Sequence, residues 1–137
     1  MVRSGIFVRL ATTLSGYNSP MTNALDRRTA IIRESRELFF SQGFSGVTMD
    51  EVAGKIGISK KTLYEIFPGK EGLLEEVLAL QFAELTKGLS VILAEEPDYR
   101  RKLERVMALI MELTRKIRPA FAIDLKKNAP HLFAKLM

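Results

Sequence analysis

From Asp26 onward the apolar residues keep helical time. Ile31, Ile32, Leu38 and Phe39, with Ser35 among them, recur at three- and four-residue spacing up to Gly43, the signature of a one-faced helix that Asp26 is placed to cap. A loop marked by Gly43 and Gly46 follows. Thr48-Met49-Asp50-Glu51 then fits the S/T-x-x-E capping box, which opens a second helix with Met49, Val52, Ala53 and Ile56 on its apolar face. Gly57 stands where a left-handed cap would end it. Ser59 caps a third helix, and about three residues separate the two, a connection that predicts a helix-turn-helix. At 100° per residue, Ser59, Leu63, Ile66 and Phe67 gather on one side of the third helix. Lys61, Thr62, Tyr64 and Glu65 spread over the other, with Lys60 at the border, and Pro68-Gly69 stops the helix after about two turns. A helix that short is marginal by itself, so a scaffold has to hold it.

Longer helices follow. Leu73, Leu74, Val77, Leu78, Leu85, Leu89, Ile92 and Leu93 predict one over about residues 70–94; Leu103, Val106, Met107, Ile110, Leu113 and Ile117 predict another over about 98–118. A short helix is expected from Pro119 to Lys127, and a further one from Pro130, a favoured first helical position. No strand alternation or repeat interrupts this, so the expected class is all-α. Three segments are expected: 1–23 as a disordered leader or an early start ahead of Met21, 24–68 as a three-helix helix-turn-helix head, and 69–137 as a helical C-terminal domain.

Composition narrows the chemistry. The 137 residues include no Cys and one His, His131, so disulfides, thiolate metal sites and histidine clusters are excluded. Glu75-Glu76 and Glu95-Glu96 are adjacent pairs that do not face one another on a helix. No nucleophile or metal partner accompanies them, and neither an enzyme nor a cofactor is expected. The leader's apolar run Ile6-Phe7-Val8 is broken by Arg9, too short for a signal peptide. No run approaches the ~18 apolar residues of a membrane span, and the expected location is the cytoplasm. Net charge is +5, yet residues 21–75 carry eight basic and eight acidic side chains. An electrostatic case for nucleic acid therefore rests on placement. From position 52 to 64 the charged residues are Lys55, Lys60 and Lys61, with no acid among them.

A helix of this size fits the major groove of B-DNA, and the second helix of such a motif enters it N-terminus first. Lys60 and Lys61 suit guanine edges or phosphates, Thr62 a base or phosphate, and Tyr64 a phosphate. Thr48 and Lys70 open the flanking helices, where backbone N–H groups favour phosphate oxygens. Farther on, Phe82, Met107, Met111 and Phe121 are candidates to line an apolar effector pocket, plain core being the alternative.

The span Arg27 to Leu78 resembles the DNA-binding domain of the TetR family of bacterial transcriptional regulators. The residues that carry the likeness are Leu38-Phe39, Gly43-Phe44, Thr48, Val52-Ala53, Gly57-Ile58-Ser59, Thr62-Leu63-Tyr64, Phe67 and Lys70-Glu71. The resemblance implies that Thr48, Ser59, Tyr64 and Lys70 hold the DNA backbone, and that Lys60, Lys61 and Thr62 approach bases or neighbouring phosphates. Lys61 stands where many members have a small residue, Glu65 and Ile66 where aromatic or His residues are common, and Gly69 where a capping Ser is frequent. The resemblance further implies a repressor of double-stranded DNA targets, a small apolar effector and a homodimer built on later helices. Those helices are expected to be missing here, so a truncated remnant of such a regulator is the alternative. A third reading is a helical interaction module docking through Leu132, Phe133 and Leu136.

Overall fold

The computed structural model describes the backbone of residues 20–136 and the side chains of residues 25–136. The described residues form seven helices and no strand: α1 (Pro20–Gln42), α2 (Met49–Ile56), α3 (Lys60–Ile66), α4 (Lys70–Glu95), α5 (Tyr99–Thr114), α6 (Pro119–Asn128) and α7 (Pro130–Leu136). Helix α1 begins at Pro20, so Asp26 lies inside it and caps nothing. No proline or glycine breaks the stretch from Met21 to Asp26, and a proline is well tolerated in a first turn. The rest of the expected leader, residues 1–19, lies outside the described residues.

Residues from Ile31 onward make one compact unit. Its core joins Ile31, Phe39 and Phe40 of α1, Val52 and Ala53 of α2, Leu63 of α3, Phe67, and Leu73, Leu74 and Val77 of α4 to Phe121, Leu125, Ala129 and Leu132 near the C-terminus. The core is thus continuous across position 68. Ser35 is the buried polar residue of this group, and its Oγ donates to the Ile31 carbonyl at 2.6 Å, which removes the penalty of an unpaired hydroxyl. Phe40 meets Phe121 edge to face at 5.4 Å, a geometry the ring quadrupoles favour.

Helix α5 stops at Thr114, short of the expected 118. The Ile117 N–H bonds the Thr114 carbonyl at 2.9 Å in a tight turn. Arg118 then adopts φ −66°, ψ 140°, because the residue before a proline is driven out of the helical region. Its N–H and guanidinium bond the carbonyls of Phe40 and Ser41 at 3.1 and 3.0 Å, tying the start of α6 to the end of α1.

Helices α4 and α5 pack against one another as an antiparallel pair. At their crossing Leu109 sits so close that a Cβ on Gly88 would lie 2.6 Å from it. Ile92 is buried, but Leu93, Leu103, Met107 and Met111 are more than half exposed and α5 buries no residue fully. Among the described residues α4 alone has the length and composition of a membrane span. Its Leu73, Leu74 and Val77 are buried in the core and its Glu84 pairs with Arg36 of α1 at 2.7 Å, while beyond Val77 Ile92 is its one buried residue.

Candidate nucleic-acid interface

Local chemistry fixes α2 and α3 at both ends. Thr48 Oγ1 accepts from the Glu51 N–H at 3.2 Å while Glu51 Oε2 accepts from the Thr48 N–H at 2.8 Å, closing the expected capping box. Gly57 takes φ 78°, a left-handed conformation that costs a glycine little. Its N–H and that of Ile58 both reach the Ala53 carbonyl, at 2.9 and 3.1 Å, using up acceptors that a helix end leaves open. Ser59 Oγ accepts from the Thr62 N–H at 3.1 Å and lies 2.8 Å from Thr62 Oγ1. Thr62 is therefore half-buried and engaged in the cap as well as facing outward.

Leu63 and Phe67 anchor α3 in the core, and Lys60, Lys61, Tyr64 and Glu65 are exposed. The three lysines of the acid-free stretch have different electrostatic surroundings. Lys55 pairs with Glu34 at 3.4 Å and Lys60 with Asp50 at 3.0 Å. The Asp50 carboxylate, by hydrogen bond and by charge, raises the Lys60 pKa above its ordinary value. The Lys60 ammonium also lies 6.0 Å from the Tyr64 ring centroid. Lys61 has no such carboxylate among the described residues, so it presents an uncompensated charge.

Thr48 is exposed at the start of α2. Lys70, expected to hold the DNA backbone, is half-buried. Its Nζ donates to the carbonyls of Phe44 and Val47 at 2.9 and 3.0 Å and stands 4.4 Å over the Phe44 ring. The ammonium holds the loop before α2, and the N-terminal amides of α4 stay in place behind Gly69, which offers no side-chain cap. Asp50 and Glu34 escaped sequence reasoning, since their lysine partners lie across a turn or on another helix and no local spacing announces them.

Of the four candidate pocket residues, Phe82 and Phe121 face a common apolar cavity of about 300 Å³, with Phe40, Leu78, Leu85 and Ile110 beside them. Met107 and Met111 do not line it. Met107 lies a turn nearer the Asp98 end of α5, and Met111, 67% exposed, turns outward.

This arrangement defines an all-α helix-turn-helix protein with a helical extension. Residues 31–77 match the model of the bacterial regulatory proteins of the tetR family, and that segment is a TetR-family N-terminal DNA-binding domain. The chain is 32% identical over 78 residues to the HTH-type transcriptional activator FasR of Mycolicibacterium smegmatis, covering 57% of this chain and 36% of that protein. It is 29% identical over 107 residues to the HTH-type transcriptional repressor KstR of Rhodococcus jostii, covering 77% and 48%. In fold it resembles a crystal structure from Shewanella sp. PV-4 assigned to the tetR family of transcription regulators. The TM-score there is 0.54 at 23% identity, over 80% of this chain and 65% of that one. The chain spans between a third and a half of the length of these two curated relatives.

Proposed function

We propose that this chain is a cytoplasmic, sequence-specific DNA-binding regulator of transcription, acting as an effector-responsive repressor. The observation that carries the reading is the exposed N-terminal half of α3. Lys61 is uncompensated there, and Lys60, Thr62 and Tyr64 flank it on a helix capped by Ser59 and anchored in the core by Leu63 and Phe67. A seven-residue helix is about 10 Å long, and the major groove it would enter is ~12 Å wide. Lys61 reads a base edge, Thr48, Ser59 and Tyr64 take phosphates, and Lys60 joins them by exchanging Asp50 for the DNA backbone. Such an exchange costs little, since water and salt screen an exposed ion pair. For Lys70 the reading keeps the backbone amides at the start of α4 as the phosphate contact.

The effector belongs in the cavity bordered by Phe82 and Phe121, whose size and apolar walls suit a small apolar molecule. Association as a homodimer is part of the reading, and the open apolar side chains Leu93, Leu103 and Met107 support it. The test is selection of bound DNA from a random pool by the 137-residue chain at near-physiological salt. An inverted repeat supports the dimeric regulator. A single half-site supports sequence reading by one head and removes the dimer. Folded protein that enriches no sequence overturns the reading.

A further inference from the structure

The loop between α1 and α2 sets where the helix-turn-helix pair α2–α3 begins, and a carboxylate from far along the chain grips it. Asp124 Oδ2 accepts from the Ser45 N–H at 2.9 Å and Oδ1 from the Ser45 hydroxyl at 2.7 Å. Asn128, one turn on, donates to Oδ1 at 2.6 Å and orients the group. The fit is close: Gly43, at φ +85°, approaches so nearly that a Cβ there would lie 2.6 Å from Oδ2. Partial burial pushes the Asp124 pKa up, but the hydrogen bonds from Ser45, Asn128 and the Phe44 backbone outweigh it and hold the carboxyl below its ordinary range. Across the loop, Lys70 binds the carbonyls of Phe44 and Val47. The segment that ends in the Thr48 cap is therefore clamped from α4 on one side and from α6 on the other.

Helix α6 is also a wall of the apolar cavity. Phe121 and Ala122 line it, three and two residues before Asp124 on the same helix turn. We propose that Asp124 is a positioning residue that links the cavity to the DNA-binding head: what fills the cavity displaces α6, and the Asp124 carboxylate passes that displacement to Ser45 and so to the start of α2. This rests on the regulatory reading above and names the route by which the cavity acts on the head. A helix turn transmits such a shift because it is hydrogen-bonded throughout and packed by Phe121 and Leu125. The bidentate grip on Ser45 transmits it because a charge-assisted pair is stronger and more directional than a neutral contact.

The test fills the cavity by mutation, with no effector needed. Ala122→Trp adds bulk from α6, and Leu85→Trp fills the same space from α4 if the first variant does not fold, as judged by far-UV circular dichroism. The readout is hydrogen exchange at the Glu51 amide, which bonds the Thr48 cap and not Asp124, measured in the full chain with and without Asp124→Ala. Losing one such bond raises local exchange about tenfold. The expected result is that cavity filling speeds Glu51 exchange when Asp124 is present and adds nothing once it is alanine. An equal increase in both backgrounds, or no increase from either folded tryptophan variant, overturns the proposal. A merely structural Asp124 gives additive effects. These measurements use no DNA, so a chain that selects no DNA sequence sinks the regulatory reading and leaves the exchange result standing by itself.

Discussion

At the scale of single residues the three basic side chains of the candidate interface separate into three kinds. Lys61 faces solvent uncompensated, Lys60 shares its charge with Asp50, and Lys70 spends its ammonium on loop carbonyls. If Lys61 reads a base, Lys61→Ala weakens binding to the selected sequence by ~1–3 kcal/mol and relaxes choice at one base pair. Titrations against single-base variants of that site check this. An equal loss on every sequence instead assigns Lys61 to phosphate. Lys70→Met is expected to act on stability, removing charged hydrogen bonds from two carbonyls at a cost of about 1.5–3 kcal/mol, read as a lower urea midpoint at unchanged m-value. The exposure of Lys60 and Lys61 was legible in the sequence, because it follows from a 3.6-residue period over one short helix. The inward turn of Lys70 was not, because its acceptors lie 26 and 23 residues back and only the folded loop brings them under the ammonium.

At the scale of elements, what the sequence disclosed best was the ends. The capping box at Thr48, the left-handed Gly57 and the Ser59 cap are each decided within four residues, so local chemistry suffices to read them. The boundaries that differed are equally physical. Helix α1 runs back to Pro20 because nothing stops it, and α5 ends at Thr114 because Pro119 forces Arg118 out of the helix. Gly57→Ala is expected to destabilise the fold by about 1 kcal/mol through left-handed strain alone, because a Cβ there meets open space. Thr48→Ala is expected to cost a similar ~1 kcal/mol by loss of the cap. Thermal unfolding of the two variants, singly and together, measures both. Their sum should be close to additive if the two caps act independently.

At the scale of the whole molecule, the periodicity told which faces are apolar but not which of them would be covered. Phe82 and Phe121 came together at one cavity while Met107 and Met111 did not, since that choice depends on how α5 is placed against α4 and α6. The Asp124 clamp joins residues 79 positions apart and has no local signal at all. It does have a pH signature. Because the folded state holds the Asp124 carboxyl below its ordinary value, its contribution to stability is full above the unfolded pKa of about 3.9. That contribution disappears as pH falls through the lower folded value. The stability difference between the wild-type chain and Asp124→Asn in urea should be steady near pH ~6 and shrink below pH ~4. A difference that grows on acidification refutes the assignment. The seat of Leu109 against Gly88 has a mechanical consequence for the same molecule. With a side chain seated in that notch, sliding α4 along α5 has to lift Leu109 out of it, so the motion expected of the hairpin is a rocking about the notch. Phe82 lies about 9 Å along α4 to one side of it and the hairpin tip at Glu95 about 10 Å to the other. The arms are nearly equal, so each ångström by which the cavity end opens draws the tip together by about the same amount.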